Sequence, residues 1–183
     1  MLVKETNDKT IIIIKLMIQA LLKQRNGKIE DARELWKFTR SNPNLPIHLQ
    51  IYSLENSLKN NIILWKEKKE LNLLEEIENI ILVWEKLAND NFLMSSLATI
   101  YLLKAKFFIA NLQIEKAKLF LENGIKIAEK YDLEVDEKDI NRDKEKISKL
   151  EQLEQRTIIK KDIELIEMLD YLKNISINLK IER

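Results

Sequence analysis

There is no cysteine in this 183-residue chain, which excludes a disulfide framework, a thiolate nucleophile and a thiolate metal site. Only two glycines and two prolines occur. A β-sandwich or an α/β enzyme needs many turn positions with positive φ, and two glycines cannot supply them. That scarcity leaves long helices joined by short loops. Histidine is nearly absent too: His48 has no second imidazole with which to share a zinc or iron ion. It follows Pro46 at an expected helix start, where exposure is its ordinary role. No Ser-His-Asp arrangement recruits it.

Charge of one sign is also lacking. The 31 basic and 30 acidic residues give a formal net charge of +1, so the chain has no general attraction for nucleic acid or anionic lipid. The lysines of segments 66–70 and 144–151 alternate with acids, which suits solvation and i,i+4 pairing better than phosphate contacts. Long apolar runs are missing as well. The most apolar stretch, residues 11–22, is about a dozen residues long, contains Lys15 and follows a polar start. A membrane span needs roughly twenty apolar residues, and a signal peptide needs a basic leader with a small-residue cleavage site. A soluble, cytoplasmic chain is expected, with the 11–22 stretch buried in a helix.

The residues that are present carry a helical pattern. The hydrophobic fraction is 45% and the charged fraction 33%, as in a folded domain. Three helix pairs are predicted. The first, about 10–40, turns at Asn26-Gly27, where Gly27 suits the left-handed conformation that ends a helix. Pro43 and Pro46 then close it. A second pair covers 47–88, with a charged and poorly marked break at 66–70. The third covers 92–132, preceded by Asn89, Asp90 and Asn91, which offer side-chain oxygens as an N-cap cluster. Residues 1–134 form the expected array. Residues 135–183 form a C-terminal extension or cap of one or two amphipathic helices, with an apolar stripe at Ile159, Ile163, Ile166, Leu169 and Leu172.

The third pair carries an internal motif. Tyr101, Ala105 and Phe108 on its first helix are followed by Ala117, Leu121 and Gly124 on its second, with Gln113-Ile114 at the corner. The first pair echoes it with Ala20, Gly27, Ala32 and Trp36. In both, two small residues lie twelve positions apart, which lets helix axes approach to about 8–10 Å. This pattern resembles the tetratricopeptide repeat family, in its long-helix variety of archaeal and regulator-type repeat proteins. Gly124 accordingly belongs inside a helix, at a close contact, despite its roughly 1 kcal/mol cost relative to alanine. Gln19 and Lys104 stand where the family usually has leucine. The second pair matches poorly, and the 85 residues from Ala32 to Ala117 make two periods of about 42 instead of 34.

The resemblance implies an all-α fold, a short right-handed α-solenoid of antiparallel helix pairs with C-terminal amphipathic helices. It also implies a non-catalytic scaffold that takes a protein or peptide partner in its concave groove. Carried onto this chain, the family's inward positions are Met17, Leu21 and Gln24 on the first repeat and Thr99, Leu102, Lys106 and Ile109 on the third. Only Lys106 could serve the family's carboxylate clamp, so an apolar groove for a helix or extended peptide is expected. Two competing occupants are the chain's own terminal helix, residues 157–179, and a second copy pairing through the C-terminal helices. A self-associating or regulatory module of a larger assembly is the alternative function.

The chain offers no catalytic set, cofactor cradle or metal loop. Neither glycine lies in a glycine-rich loop. The acidic run 132–139 lacks the alternation and central glycine of a calcium loop. Carboxylate pairs such as Glu75-Glu76 are ordinary on a charged helix. Trp36, Trp65 and Trp84 sit late in predicted helices, where packing is their usual role; an exposed one would mark a partner hot spot.

Overall fold

Where the sequence turns follows from where its backbone carbonyls find donors. In the computed structural model the chain forms α1 (Leu2–Arg25), α2 (Ile29–Arg40), α3 (Ile47–Lys68), α4 (Leu71–Asp90), α5 (Met94–Ala110), α6 (Ile114–Lys130) and α7 (Glu137–Ile181). The structure describes the backbone of residues 2–42 and 44–181 and the side chains of residues 9–42, 44–158 and 161. No strand occurs among the described residues. Each helix packs on the next in sequence, and α3, α5 and α7 also pack in succession.

Four of the connections share one device. Gly27, Phe92, Leu112 and Asp132 all have φ between 50° and 72°. In each case this left-handed residue donates its N–H to the carbonyl three residues back. The residue after it donates to the carbonyl five back, as in Lys28 to Lys23 and Leu93 to Ala88, both at 2.9 Å, and Gln113 to Phe108 at 3.0 Å. This is the Schellman closure, which satisfies carbonyls left over at a helix end. Three of these ends lead at once into the next helix, because Lys28, Leu93 and Gln113 adopt nearly the same φ and ψ before it starts.

Several boundaries differ from expectation. The first helix begins at Leu2, ahead of Thr10. Helix α3 extends three residues past Trp65 to Lys68, and the break falls inside the expected 66–70 segment, where Lys69 at φ 55° ends the helix. The Asn89–Asn91 cluster does not cap α5. Helix α4 continues to Asp90, the Asn91 side-chain amide donates backward to the Leu87 carbonyl at 2.8 Å, and α5 starts without a side-chain cap. The C-terminal extension is one continuous helix, α7. The stripe from Ile159 to Leu172 lies outside the residues whose side chains are described.

Apolar burial is divided into three clusters. Ile13, Met17, Ala20, Ala32, Trp36 and Leu45 join α1 to α2 and the start of α3. A larger cluster, with Leu58, Leu73, Ile77, Trp84 and Ile100 at its centre, joins α3, α4 and α5. Ala105, Ala117, Leu121 and Ile147 join α5, α6 and α7. All three tryptophans are buried. Gly124 lies within α6 and is buried, and a Cβ there would stand 2.9 Å from Leu102 Cδ2.

Between the first two clusters runs a polar seam. Ser53, Ser57 and Asn60 line α3 at i, i+4 and i+7, and all are buried. Thr39 Oγ1 and Ser53 Oγ share a hydrogen bond at 2.7 Å. Arg40 donates to Ser57, and Asn60 Nδ2 donates to the Ile29 carbonyl at 3.0 Å. Beside them Arg33 and Arg40 of α2 both grip Glu76 of α4.

Candidate partner-binding groove

The positions assigned by resemblance divide into two groups. On α1, Met17 is buried at 3% exposure in the first apolar cluster, and Leu21 packs against that cluster. Gln24 is half-buried, its Oε1 enclosed without a donor among the described residues. Met17 therefore offers a partner no surface: the α1 face that carries it is the one that packs on α2. On α5, Thr99 bonds back to the Ser95 carbonyl at 3.0 Å, and Leu102 lies over Gly124. Ile109 packs on the α5–α7 cluster.

Lys106 shows what covers this face of α5. Its Nζ lies 2.6 Å from Asp139 Oδ2 and 3.7 Å from Asp143 Oδ2, both on α7. One turn on, Ile147 enters the cluster of Ala105 and Leu121. The chain's own α7 thus occupies the α5 face that carries Lys106, and it does so with residues 139–147, upstream of the expected 157–179 segment. The hydrogen bond from Lys106 holds the Asp139 carboxyl below its ordinary range. Burial, with Lys146 close by, lowers Lys66.

An open groove lies on another face. Leu74, Glu78, Ile81, Leu82 and Glu85 form one wall on α4, spaced at helical periodicity. Phe107, Phe108 and Asn111 of α5 and Trp65 of α3 form the floor, and Lys104 with Lys116 of α6 forms the opposite wall. Its volume is about 420 Å³.

The floor is built from interlocked rings. Phe108 stacks on Phe120 with centroids 5.2 Å apart and an interplanar angle of 11°. Phe107 contacts both Phe108, at 5.4 Å, and Trp65, at 6.3 Å. The Trp65 indole N–H donates to Asn111 Oδ1 at 2.7 Å, which satisfies its polar end. Lysines rest on these rings: Lys104 lies 4.2 Å from the Phe120 centroid, and Lys116 lies 5.4 Å from that of Phe108. Lys104 also bridges to Glu85 at 2.8 Å. Leu82 stands exposed on the α4 wall at 67%.

No family model, curated protein or solved structure matches the chain.

What the groove can do must therefore be read from its own chemistry. An aromatic floor with carboxylates on one wall and ammonium groups on the other suits an amphipathic helix or extended peptide. Lys104 lines this groove and was not among the positions assigned by resemblance. Its departure from the family's leucine was visible, yet its role required knowing that Glu85 and Phe120 meet over it. His48 is exposed at the start of α3. No group of three or more His, Cys, Asp or Glu side chains among the described residues could hold a metal ion, and no described helix is long and apolar enough to cross a membrane.

Proposed function

We propose that this protein is a non-catalytic interaction module, a short tetratricopeptide-like helix array whose partner site is the groove between α4 and α6. The observation that carries the site is a groove between walls of opposite charge, with exposed Leu82 on one wall and half-buried Phe108 resting on the buried rings of Phe107 and Trp65 as its floor. Buried aromatics rimmed by charge are the usual composition of binding hot spots. Three features support the array. The small pairs Ala20/Ala32 and Ala105/Ala117 are each buried in one shared cluster. The left-handed turn recurs along the chain. The helices α3, α5 and α7 pack in succession. The partner is a helix or peptide presenting an apolar stripe flanked by at least one acid, for Lys116, and one base, for Glu78.

Selection of peptides from a random library on the immobilised full chain tests this reading. Enriched peptides should bind wild type and lose about tenfold or more affinity on Leu82→Asp or Phe108→Ala, the scale of one hot-spot residue. Enrichment that is equal on the Leu82→Asp bait, or affinity unchanged by both substitutions, would place the site elsewhere.

A further inference from the structure

Helix α1 carries a second apolar face that nothing described covers. Its inner face, Ile13, Met17 and Ala20, packs on α2. On the outer side Ile11, Ile14, Ile18 and Leu22 remain between 38% and 53% exposed. Their spacing of three, four and four residues places them in one stripe along the helix. Such a contiguous apolar strip marks an interaction surface on a folded protein. Lys15 and Arg25 lie on the same stripe's margins, both exposed, and neither has an acidic partner among the described residues. The face is therefore apolar and positively charged. Lys15 and Arg25 favour an occupant that is apolar and acidic over a second copy of this same face.

The complementary chemistry is present in this chain. From residue 162 to 172 the sequence holds four acids, Asp162, Glu164, Glu167 and Asp170, and no base, interleaved with Ile163, Ile166 and Leu169. This stretch belongs to α7, which runs unbroken to Ile181. Its last ion pair to the body among the described side chains is Glu151 with Lys118. Beyond it, Leu153 and Ile158 are both more than half exposed. The two surfaces also match in length: the segments 11–22 and 162–172 each span roughly 15–17 Å of helix.

We infer that the outer face of α1 is the docking site for the acidic stretch of α7 from a second copy of the chain. Two such contacts made reciprocally close a twofold dimer. The apolar stripe supplies the buried area, while attraction between the bases Lys15 and Arg25 and the acidic charge of the 162–172 stretch sets the pairing.

The absence of cysteine makes a direct test simple. Ile18→Cys and Ile166→Cys are prepared as separate full-length proteins, mixed in equal amounts and oxidised gently. The docking predicts a dominant disulfide between the two different variants, joining position 18 of one molecule to position 166 of the other and identified by mass spectrometry of the linked peptides. It also predicts a wild-type dimer in sedimentation equilibrium whose dissociation rises about tenfold with Lys15→Glu plus Arg25→Glu. Mixing that variant with Asp162→Lys plus Glu167→Lys should restore association. Three results would overturn the inference: bonds only between like variants, a wild-type monomer at high micromolar concentration, or a monomer that associates only with anionic phospholipid vesicles.

Discussion

Arg33 donates to a single oxygen of Glu76 through both Nε and Nη2, at 2.9 and 2.7 Å, and so ties α2 to α4. Arg40 takes the other oxygen. Burial works against the charge on Glu76, but the hydrogen bonds from Arg40 and Arg33 outweigh it and hold the carboxyl below its ordinary range. A carboxyl depressed in the folded state stabilises the fold above its unfolded pKa, and that contribution is lost as pH falls through the folded value. The denaturation midpoint should therefore drop on acidification from about pH 5 downward. Glu76→Gln should cost about 2–3 kcal/mol at pH 7, since it strands two half-buried guanidinium groups. It should also flatten the acid limb of the stability curve. Urea titrations of both proteins across that range measure the two effects together.

Gly124 and Leu102 yield a second prediction. A methyl group at 124 would meet Leu102 Cδ2 at 2.9 Å and the Ala98 carbonyl oxygen at 3.2 Å. Gly124→Ala gains about 1 kcal/mol in helix propensity but overpacks the α5–α6 crossing, which costs about 1–3 kcal/mol. A net loss of about 1 kcal/mol is expected. Placed in a Leu102→Ala background, the same change should be neutral or stabilising, because the obstructing side chain is gone. A double-mutant cycle in chemical denaturation reads the coupling.

Phe92 tests the shared turn. It holds φ at 55° with 81% of its surface exposed, so it bears left-handed strain of about 1–2 kcal/mol with little burial to offset it. Phe92→Gly should raise stability by about 0.5 kcal/mol after glycine's added unfolded-state entropy is counted. Phe92→Val should lower it, since a β-branched residue resists positive φ. Thermal melts distinguish the two directions.

The docking of α7 rests on Asp143, which is 3% exposed beside Lys106 and Lys146. Asp143→Ala should weaken that docking by about 2–3 kcal/mol, having removed the buried member of a charged cluster. Amide hydrogen exchange should accelerate across residues 137–151 while α3 and α4 keep their protection. Uniform acceleration throughout the chain would contradict the local role.

Much of the architecture could be read from residue order, for reasons that are local. Gly27 has no side chain to resist positive φ, and Pro46 stands directly before the first residue of α3, so those boundaries declare themselves. Ala20 with Ala32 and Ala105 with Ala117 mark close helix approaches because only small residues fit there, and all four are fully buried. Asn91 misled because an asparagine side chain serves the end of one helix as readily as the start of the next. Phe92 and Leu112 gave no warning of left-handed backbone, since a helix-closing hydrogen bond from the next residue imposes it.

The groove was less legible. Its walls come from α4 and α6, and its floor from α5 and α3, so no contiguous motif encodes it. Met17 was assigned to an open face from a pattern that does not say which side of α1 meets α2. The seam of Ser53, Ser57 and Asn60 lies at helical spacing, but α3 carries many other polar residues, so only the position of α2 distinguishes these buried ones from the solvated ones.

That seam divides the molecule's cooperativity. Water can replace hydroxyl and amide hydrogen bonds at little cost, whereas it cannot replace apolar contacts. Parting α2 from α3 along Thr39, Ser53, Ser57 and Asn60 therefore needs much less work per unit area than opening either flanking cluster. Hydrogen exchange is the measure of this: amides of α1 and α2 are expected to exchange through an opening below the free energy of global unfolding, one that must also part Trp36 from Tyr52. Added salt or acid, by weakening the clasp of Arg33 and Arg40 on Glu76, would populate that partly opened form first.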